Sequence, residues 1–150
     1  IAIGKTLFLT FVWMYVTTAL PVLVADAAWT TQHTLFCISR FCLIYAICIL
    51  FDYRDRDADQ AQGVKSMITW MSENKILLIF LISLALFVIS TVALYGASFS
   101  IFTIILLLVP GGIVWGLYNY ARKHFNDYLY YFVLDGLMMF SSLLTLLFSI

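Results

Sequence analysis

The sequence predicts an all-α, polytopic transmembrane helix bundle. Three features support this: the composition, five long apolar stretches, and the charge of the segments between them. Of the 150 residues, 64% are hydrophobic and only 11% are charged, and the mean hydropathy is +1.03. Ordinary globular chains carry about a quarter of charged residues, which argues strongly against a soluble domain. The formal net charge is zero, which argues against a nucleic-acid partner.

The five apolar stretches each have the length that a bilayer-crossing helix requires. Their apolarity is continuous along the chain and is not confined to one helical face, as expected where lipid surrounds a bundle. We therefore predict a single transmembrane domain over residues 1–150, with spanning helices at about 3–24, 32–51, 74–95, 98–118 and 128–149.

The segments between these stretches alternate in charge. Seven of the eight basic residues, all except Arg40, fall on one side of the five-helix threading. The positive-inside rule then places residue 1, the acidic segment after the second helix and Arg122-Lys123 in the cytoplasm, with the C-terminus outside. The sequence thus predicts an integral, multi-pass membrane protein of defined orientation.

Two helices contain residues that disfavour regular helix. Pro21 lies near the outer end of the first helix, where a kink costs little. Pro110-Gly111-Gly112 falls in the middle of the fourth helix, and Gly112 begins a G-x-x-x-G spacing. One interpretation is close helix packing against the small residues. The other is a bend that shapes a cavity, since broken helices in membranes tend to line cavities.

The most informative segment follows the second helix, where four of the seven aspartates lie within residues 52–59. If that helix continues past residue 51, Asp52, Asp55 and Asp59 fall within about 60° of arc, and Asp57 points roughly the opposite way. Mg²⁺ typically takes one or two carboxylates, keeps several waters and accepts phosphate oxygens. Three carboxylates on one face therefore predict a Mg²⁺ site for a phosphate-bearing substrate.

Basic residues accompany the carboxylates. Arg56 lies close to the same helical face, where its guanidinium is suited to contact a phosphate. Gly63 is expected to end the helical stretch. Lys65, just beyond it, is a second candidate contact for a diphosphate.

A structural interpretation competes with the metal site. In it the segment is solvated and its charges pair locally, Asp52 with Arg56 and Asp55 with Arg54. Such exposed pairs contribute little to stability. They also leave the other two aspartates without an explanation.

Residues 51–66 resemble the second aspartate-rich motif of the UbiA superfamily of intramembrane prenyltransferases. In outline that motif is D-x-x-D-x-x-x-D followed by a Gly and then Lys-Ser or Lys-Thr, directly after a spanning helix. The family has nine spanning helices with cytoplasmic aspartate motifs, so the resemblance implies that this chain supplies about helices five to nine. The matching residues are Asp52, Asp55, Asp59, Gly63, Lys65 and Ser66.

The family's first motif, N-D-x-x-D-x-x-x-D, is not in this sequence. The chain begins with Ile1 and not with a methionine, so we expect it to be the back portion of a longer protein. The first motif would then lie upstream of Ile1. On this expectation the chain requires those upstream helices, and the segment alone is inactive.

The resemblance implies a Mg²⁺-dependent transfer of a prenyl group from an allylic prenyl diphosphate to a lipophilic acceptor, usually an aromatic one. It makes Asp55 and Asp59 the catalytic metal ligands, with Asp52 as a third. It assigns the diphosphate contacts to Arg56 and Lys65. Apart from membrane lipids, the expected partners are the prenyl diphosphate and its acceptor.

Two charged residues fall inside the predicted spans. Arg40 lies about 16 Å from the cytoplasmic end of the second helix, and Asp135 about 12 Å into the last. Charges at such depths are costly and normally face the bundle interior with a partner. We hypothesise that Arg40 and Asp135 form an intramembrane polar pair, mainly structural in role.

Other classes of membrane protein remain open. A CDP-alcohol phosphatidyltransferase needs D-G-x-x-A-R ahead of its other aspartates, but Asp135-Gly136 comes late and is followed by Leu-Met-Met. A channel or transporter segment would use the aspartates as an ion ring, yet transporters place coupling residues near the midplane. The remaining alternative is a degenerate, non-enzymatic homologue that keeps the fold alone.

Overall fold

The computed structural model describes residues 2–63, 66–97, 99–123 and 133–140. Within these ranges every regular element is helical, which confirms the all-α prediction. Residues 133–140 are also helical. In chain order the elements before them are α1 (Ala2–Met14), a π-helical turn (Tyr15–Ala19), α2 (Leu20–Val24), α3 (Thr31–Ala61), α4 (Met67–Trp70), α5 (Glu73–Ala93), a 3₁₀ turn (Leu94–Ala97) and α6 (Ile101–Ala121).

The described residues contain four helical stretches long and apolar enough to cross a membrane. They coincide with the first four predicted spans and so confirm them as continuous apolar helices. The fifth predicted span, at 128–149, lies outside the described residues except for its central part. The four stretches are Gly4–Val24, Thr31–Ala61, Glu73–Gly96 and Ile101–Ala121.

Helix α3 is the central helix of the described bundle. Of the 18 residues that form its apolar part, 56% are buried, whereas the share is 17% in the stretch that contains α1. Leu43 and Ile47 of α3 are fully buried and belong to one core cluster with Phe80 of α5. Phe8 and Ile89 point outward and are well exposed. Apolar side chains therefore cover both the core and the outer surface, as in helices that face lipid.

Several polar side chains in the apolar helices form hydrogen bonds to a neighbouring helix. The hydroxyls of Ser39 on α3 and Thr91 on α5 are 2.6 Å apart. Ser83 Oγ of α5 donates to the carbonyl oxygen of Cys42 on α3 at 2.7 Å. Hydrogen bonds between spanning helices in apolar surroundings help to fix their register. They connect α3 to its main packing partner.

The helix-disfavouring residues have different outcomes. Pro21 stands in the first turn of α2, directly after the π-helical turn. Pro110 lies inside α6, and the helix continues through it. A Cβ on Gly111 would clash with the Phe87 ring of α5, whereas the two glycines of the G-x-x-x-G spacing have nothing within 4 Å. Close packing of a glycine is therefore seen at Gly111 and not at that spacing, and a cavity of about 540 Å³ lined by Gly111 and Gly112 lies beside it, as the second interpretation expects.

The antiparallel run of the helices brings one set of ends together. The start of α1 contacts the last part of α3 through Thr6 and Asp52. The start of α5 meets the end of α6 through Glu73 and Arg122. With its 31 residues, α3 is longer than the roughly 20 that cross a bilayer. Its last turns therefore extend beyond the apolar span, and they carry the aspartates.

Candidate functional site

The acidic segment is a helical extension and not a loop. Helix α3 continues to Ala61 and is followed by Gln62 as its C-cap. Gly63 has φ +66°, the left-handed conformation that commonly ends helices. The predicted helix ended at about residue 51, so the structure extends it by ten residues and meets the condition on which the shared face depends; the predicted stop at Gly63 is confirmed. Lys65, the second predicted diphosphate contact, lies outside the described residues.

Asp52, Asp55 and Asp59 share one side of α3, which we call the carboxylate face. Asp52 is 8% exposed and Asp59 is 7% exposed. Asp55 is half-buried and Asp57 is exposed. Asp52 also lies within electrostatic range of Asp59 and Asp55. The predicted division of the four aspartates is therefore confirmed: three turn inward and Asp57 turns outward.

The first turns of α1 supply the donor to Asp52. Thr6 Oγ1 donates to Asp52 Oδ2 at 2.9 Å, and both side chains are buried. Lys5 lies within electrostatic range of the same carboxylate. The structural interpretation had paired Asp52 with Arg56 of its own helix. The structure instead shows a hydrogen bond across two helices, from Thr6.

Asp55 is the one carboxylate for which the local pairing is confirmed. Arg54 Nε lies 2.8 Å from Asp55 Oδ1, with side chains 22% and 36% exposed. The Arg54 guanidinium also stacks 5.2 Å from the centre of the Phe51 ring. Because the pair is half-exposed, it costs little to rearrange. Asp55 is therefore still accessible to a cation.

Asp59 carries an oxygen for which the described residues offer no partner. Its Oδ2 is buried and makes no hydrogen bond to the described part of the chain. A buried carboxylate oxygen in that state is costly unless a cation or donor satisfies it. This orphaned oxygen is the observation that fits a divalent cation at the carboxylate face.

A cation there would not be enclosed by this chain alone. Within the described ranges, no three His, Cys, Asp or Glu side chains are placed to hold a metal ion together. Mg²⁺ needs only one or two carboxylates when waters and phosphate oxygens complete its octahedron. Asp55 and Asp59 stand on consecutive turns of α3, which suits that partial role.

The hypothesised intramembrane pair stays a prediction. Arg40 is 4% exposed, and its guanidinium lies 4.9 Å from the centre of the Phe36 ring. Asp135 lies within electrostatic range of Arg54 and of Cys48. Arg54 is about 21 Å further along α3 than Arg40 at the rise of an α-helix. Asp135 therefore lies toward the carboxylate end of α3.

An aromatic cluster lies at the same end of the helix bundle as the carboxylate face. The hydroxyls of Tyr53 and Tyr118 are 3.2 Å apart. The Phe80 ring lies 4.5 Å from that of Tyr118. The guanidinium of Arg122 stacks 5.6 Å from Tyr118 and pairs with Glu73. Sequence reasoning missed this cluster, although its members share one level in the predicted antiparallel threading.

No protein-family model, curated protein or solved structure matches this chain. The resemblance of residues 51–66 to the prenyltransferase motif therefore rests on the motif itself and on its position after a spanning helix.

Proposed function

We propose that this chain is part of an integral-membrane, Mg²⁺-dependent prenyltransferase of the UbiA type, supplying about five of nine spanning helices. It would transfer a prenyl group from an allylic prenyl diphosphate to a lipophilic, usually aromatic, acceptor. The observation that carries the proposal is the buried Oδ2 of Asp59, which has no hydrogen-bond partner in the described part of the chain. It lies on a face shared with Asp52 and Asp55, beyond the apolar part of a spanning helix.

The chain's part in the reaction is to bind and orient the diphosphate. Asp55 and Asp59 would offer oxygen ligands from consecutive turns of α3. When bound, Mg²⁺ supplies Lewis-acid stabilisation of the negative charge on the leaving diphosphate. Arg56 is half-buried near the carboxylate face, and we assign a diphosphate contact to it and to Lys65. Charge-assisted bonds of this kind are stronger than neutral ones.

The remaining chemistry belongs to the substrates. The bond between the allylic carbon and the diphosphate oxygen breaks, and the acceptor's electrons form the new carbon–carbon bond. The apolar surroundings of α3 would limit water, which otherwise competes with the acceptor. The carboxylates of the first aspartate motif would come from helices outside this chain.

The membrane orientation is part of the same proposal. Lys5, Arg56, Lys75 and Arg122 all lie at the carboxylate end of the helices. By the positive-inside rule that end faces the cytoplasm. The diphosphate would then reach the carboxylate face from the aqueous side.

A second candidate is a non-enzymatic protein with the same fold. Two observations favour it: Thr6 already bonds Asp52, and Arg54 already pairs with Asp55. Under this reading the acidic residues are structural. A channel or transporter role is less favoured because the carboxylates lie at the helix end and not at the midplane.

Binding of a prenyl diphosphate separates these candidates. The chain is reconstituted in lipid nanodiscs together with the helices that the proposal places outside it, and retention of radiolabelled farnesyl diphosphate is measured with Mg²⁺ and with EDTA. We expect Mg²⁺-dependent retention by the wild type and by Asp57→Asn, and its loss in Asp55→Asn and Asp59→Asn. Equal retention with EDTA, or unchanged retention by Asp59→Asn, contradicts the prenyltransferase. Complete lack of retention by the wild type supports the non-enzymatic candidate.

A further inference from the structure

The threonines of the first spanning stretch do not all satisfy their hydroxyls in the same way. Thr10 Oγ1 donates to the carbonyl oxygen of Thr6 at 2.8 Å, and Thr17 Oγ1 donates to that of Trp13 at 2.7 Å. Both are bonds to the residue four positions earlier, the usual solution for a threonine in an apolar helix. Thr6 differs, because its hydroxyl donates to Asp52 on α3.

Thr6 lies on the buried side of α1, whereas large apolar side chains of this helix are exposed. Thr6 is 3% exposed, whereas Phe8 and Phe11 are 69% and 54% exposed. A hydroxyl in such surroundings gains from any acceptor, and the acceptor here is a carboxylate. Hydrogen bonds to charged groups are stronger than those between neutral groups. The contact therefore fixes Asp52 relative to α1.

Asp52 and Asp59 then have different roles on the carboxylate face. Both side chains are more than nine-tenths buried. Oδ2 of Asp52 accepts a hydrogen bond from Thr6, whereas Oδ2 of Asp59 has no partner among the described residues. With Oδ2 occupied, Asp52 keeps Oδ1 for a cation or its water. Asp59 keeps an oxygen for direct coordination.

We propose that Thr6 is a positioning residue for the cation site: by holding Asp52 Oδ2, it orients this carboxylate and makes α1 part of the site. The inference rests on the proposed function, since it assumes a divalent cation at the carboxylate face. Groups that orient metal-binding carboxylates are worth about 10- to 100-fold in metal affinity. Thr6 contributes no ligand itself.

Mn²⁺ serves as the probe because its free form gives an electron paramagnetic resonance signal, so bound and free metal are counted directly. The chain, reconstituted in nanodiscs with the helices that the proposed function places outside it, is titrated with Mn²⁺ as wild type, Thr6→Val, Thr6→Ala, Thr6→Ser and Thr10→Val. Thr6→Val keeps the volume but removes the hydroxyl, and Thr6→Ser keeps the hydroxyl. Thr10→Val is the matched control, because it removes an equally buried hydroxyl of α1 that donates to the Thr6 carbonyl oxygen and lies beside Cys48, and does not bond a carboxylate.

We expect about tenfold weaker Mn²⁺ binding in Thr6→Val. Thr6→Ser and Thr10→Val should stay near the wild type. If Thr6→Val lacks the helical circular dichroism and the elution volume of the folded chain, Thr6→Ala is measured in its place. Wild-type affinity in the hydroxyl-free variants, or equal weakening in Thr10→Val, overturns the role of Thr6 and leaves the proposed function intact. A wild type that binds no Mn²⁺ overturns the proposed function itself.

Discussion

The contact between α6 and α5 at Gly111 offers a direct test of how tightly these helices pack. A methyl group there would lie 2.8 Å from Cδ1 of Phe87 and nearer still to Cε1, and Phe87 is 1% exposed. Overpacking of this kind costs about 1–3 kcal/mol. The better helix propensity of alanine offsets about 1 kcal/mol of it. We expect Gly111→Ala to lower the free energy of unfolding by about 0–2 kcal/mol, and by about 1–3 kcal/mol relative to a glycine-to-alanine change that gains the same propensity without overpacking.

Gly112→Ala is the matched control, since a Cβ there meets nothing within 4 Å. It should be neutral or slightly stabilising. The free energy of unfolding is measured by titrating micelles of the protein with sodium dodecyl sulfate and following helicity. Adding Phe87→Leu should restore part of the stability of Gly111→Ala, because the ring is what the methyl group meets. The packing argument is refuted if Gly111→Ala is as stable as Gly112→Ala.

Three further predictions use the same unfolding assay. Ser39→Ala and Thr91→Val should each lower the free energy of unfolding by about 0.6 kcal/mol. Because one hydrogen bond joins the two hydroxyls, the double variant should lose little more than either single variant. Additive losses would contradict this. Gly63→Ala should cost about 1 kcal/mol, because φ +66° strains any L side chain although there is space for it; an unchanged stability would show that the turn relaxes. Glu73→Gln should change stability by less than about 1 kcal/mol and only at low salt, because its pair with Arg122 is largely exposed; a large, salt-independent loss would contradict that.

Much of the helical architecture was predictable because the apolar stretches are long and uninterrupted. The stop of α3 at Gly63 also followed from local sequence, since a left-handed glycine ends a run of helix-compatible residues. The helical periodicity that separates Asp57 from Asp59 was predicted correctly because α3 stays a regular α-helix as far as Ala61. Periodicity along one helix is therefore what the sequence specifies best.

Contacts between helices were less predictable, because they depend on the rotation of one helix against another. Thr6 gave no signal in the sequence, since a threonine in an apolar helix usually bonds its own backbone. The G-x-x-x-G spacing pointed to Gly112, whereas the neighbouring Gly111 makes the contact with Phe87. Tyr53 and Tyr118 are distant in sequence and meet only because the last turn of α6 lies beside α3 at the level of Tyr53.

Direct measurement of divalent-cation binding at the carboxylate face is the most decisive test of the account. Mn²⁺ titration of the wild type, Asp59→Asn and Asp57→Asn compares a buried carboxylate, one oxygen of which bonds none of the described residues, with an exposed carboxylate two residues away. We expect one bound Mn²⁺ per chain, roughly tenfold or more weaker binding in Asp59→Asn, and unchanged binding in Asp57→Asn. Equal affinities in the two variants would contradict this expectation.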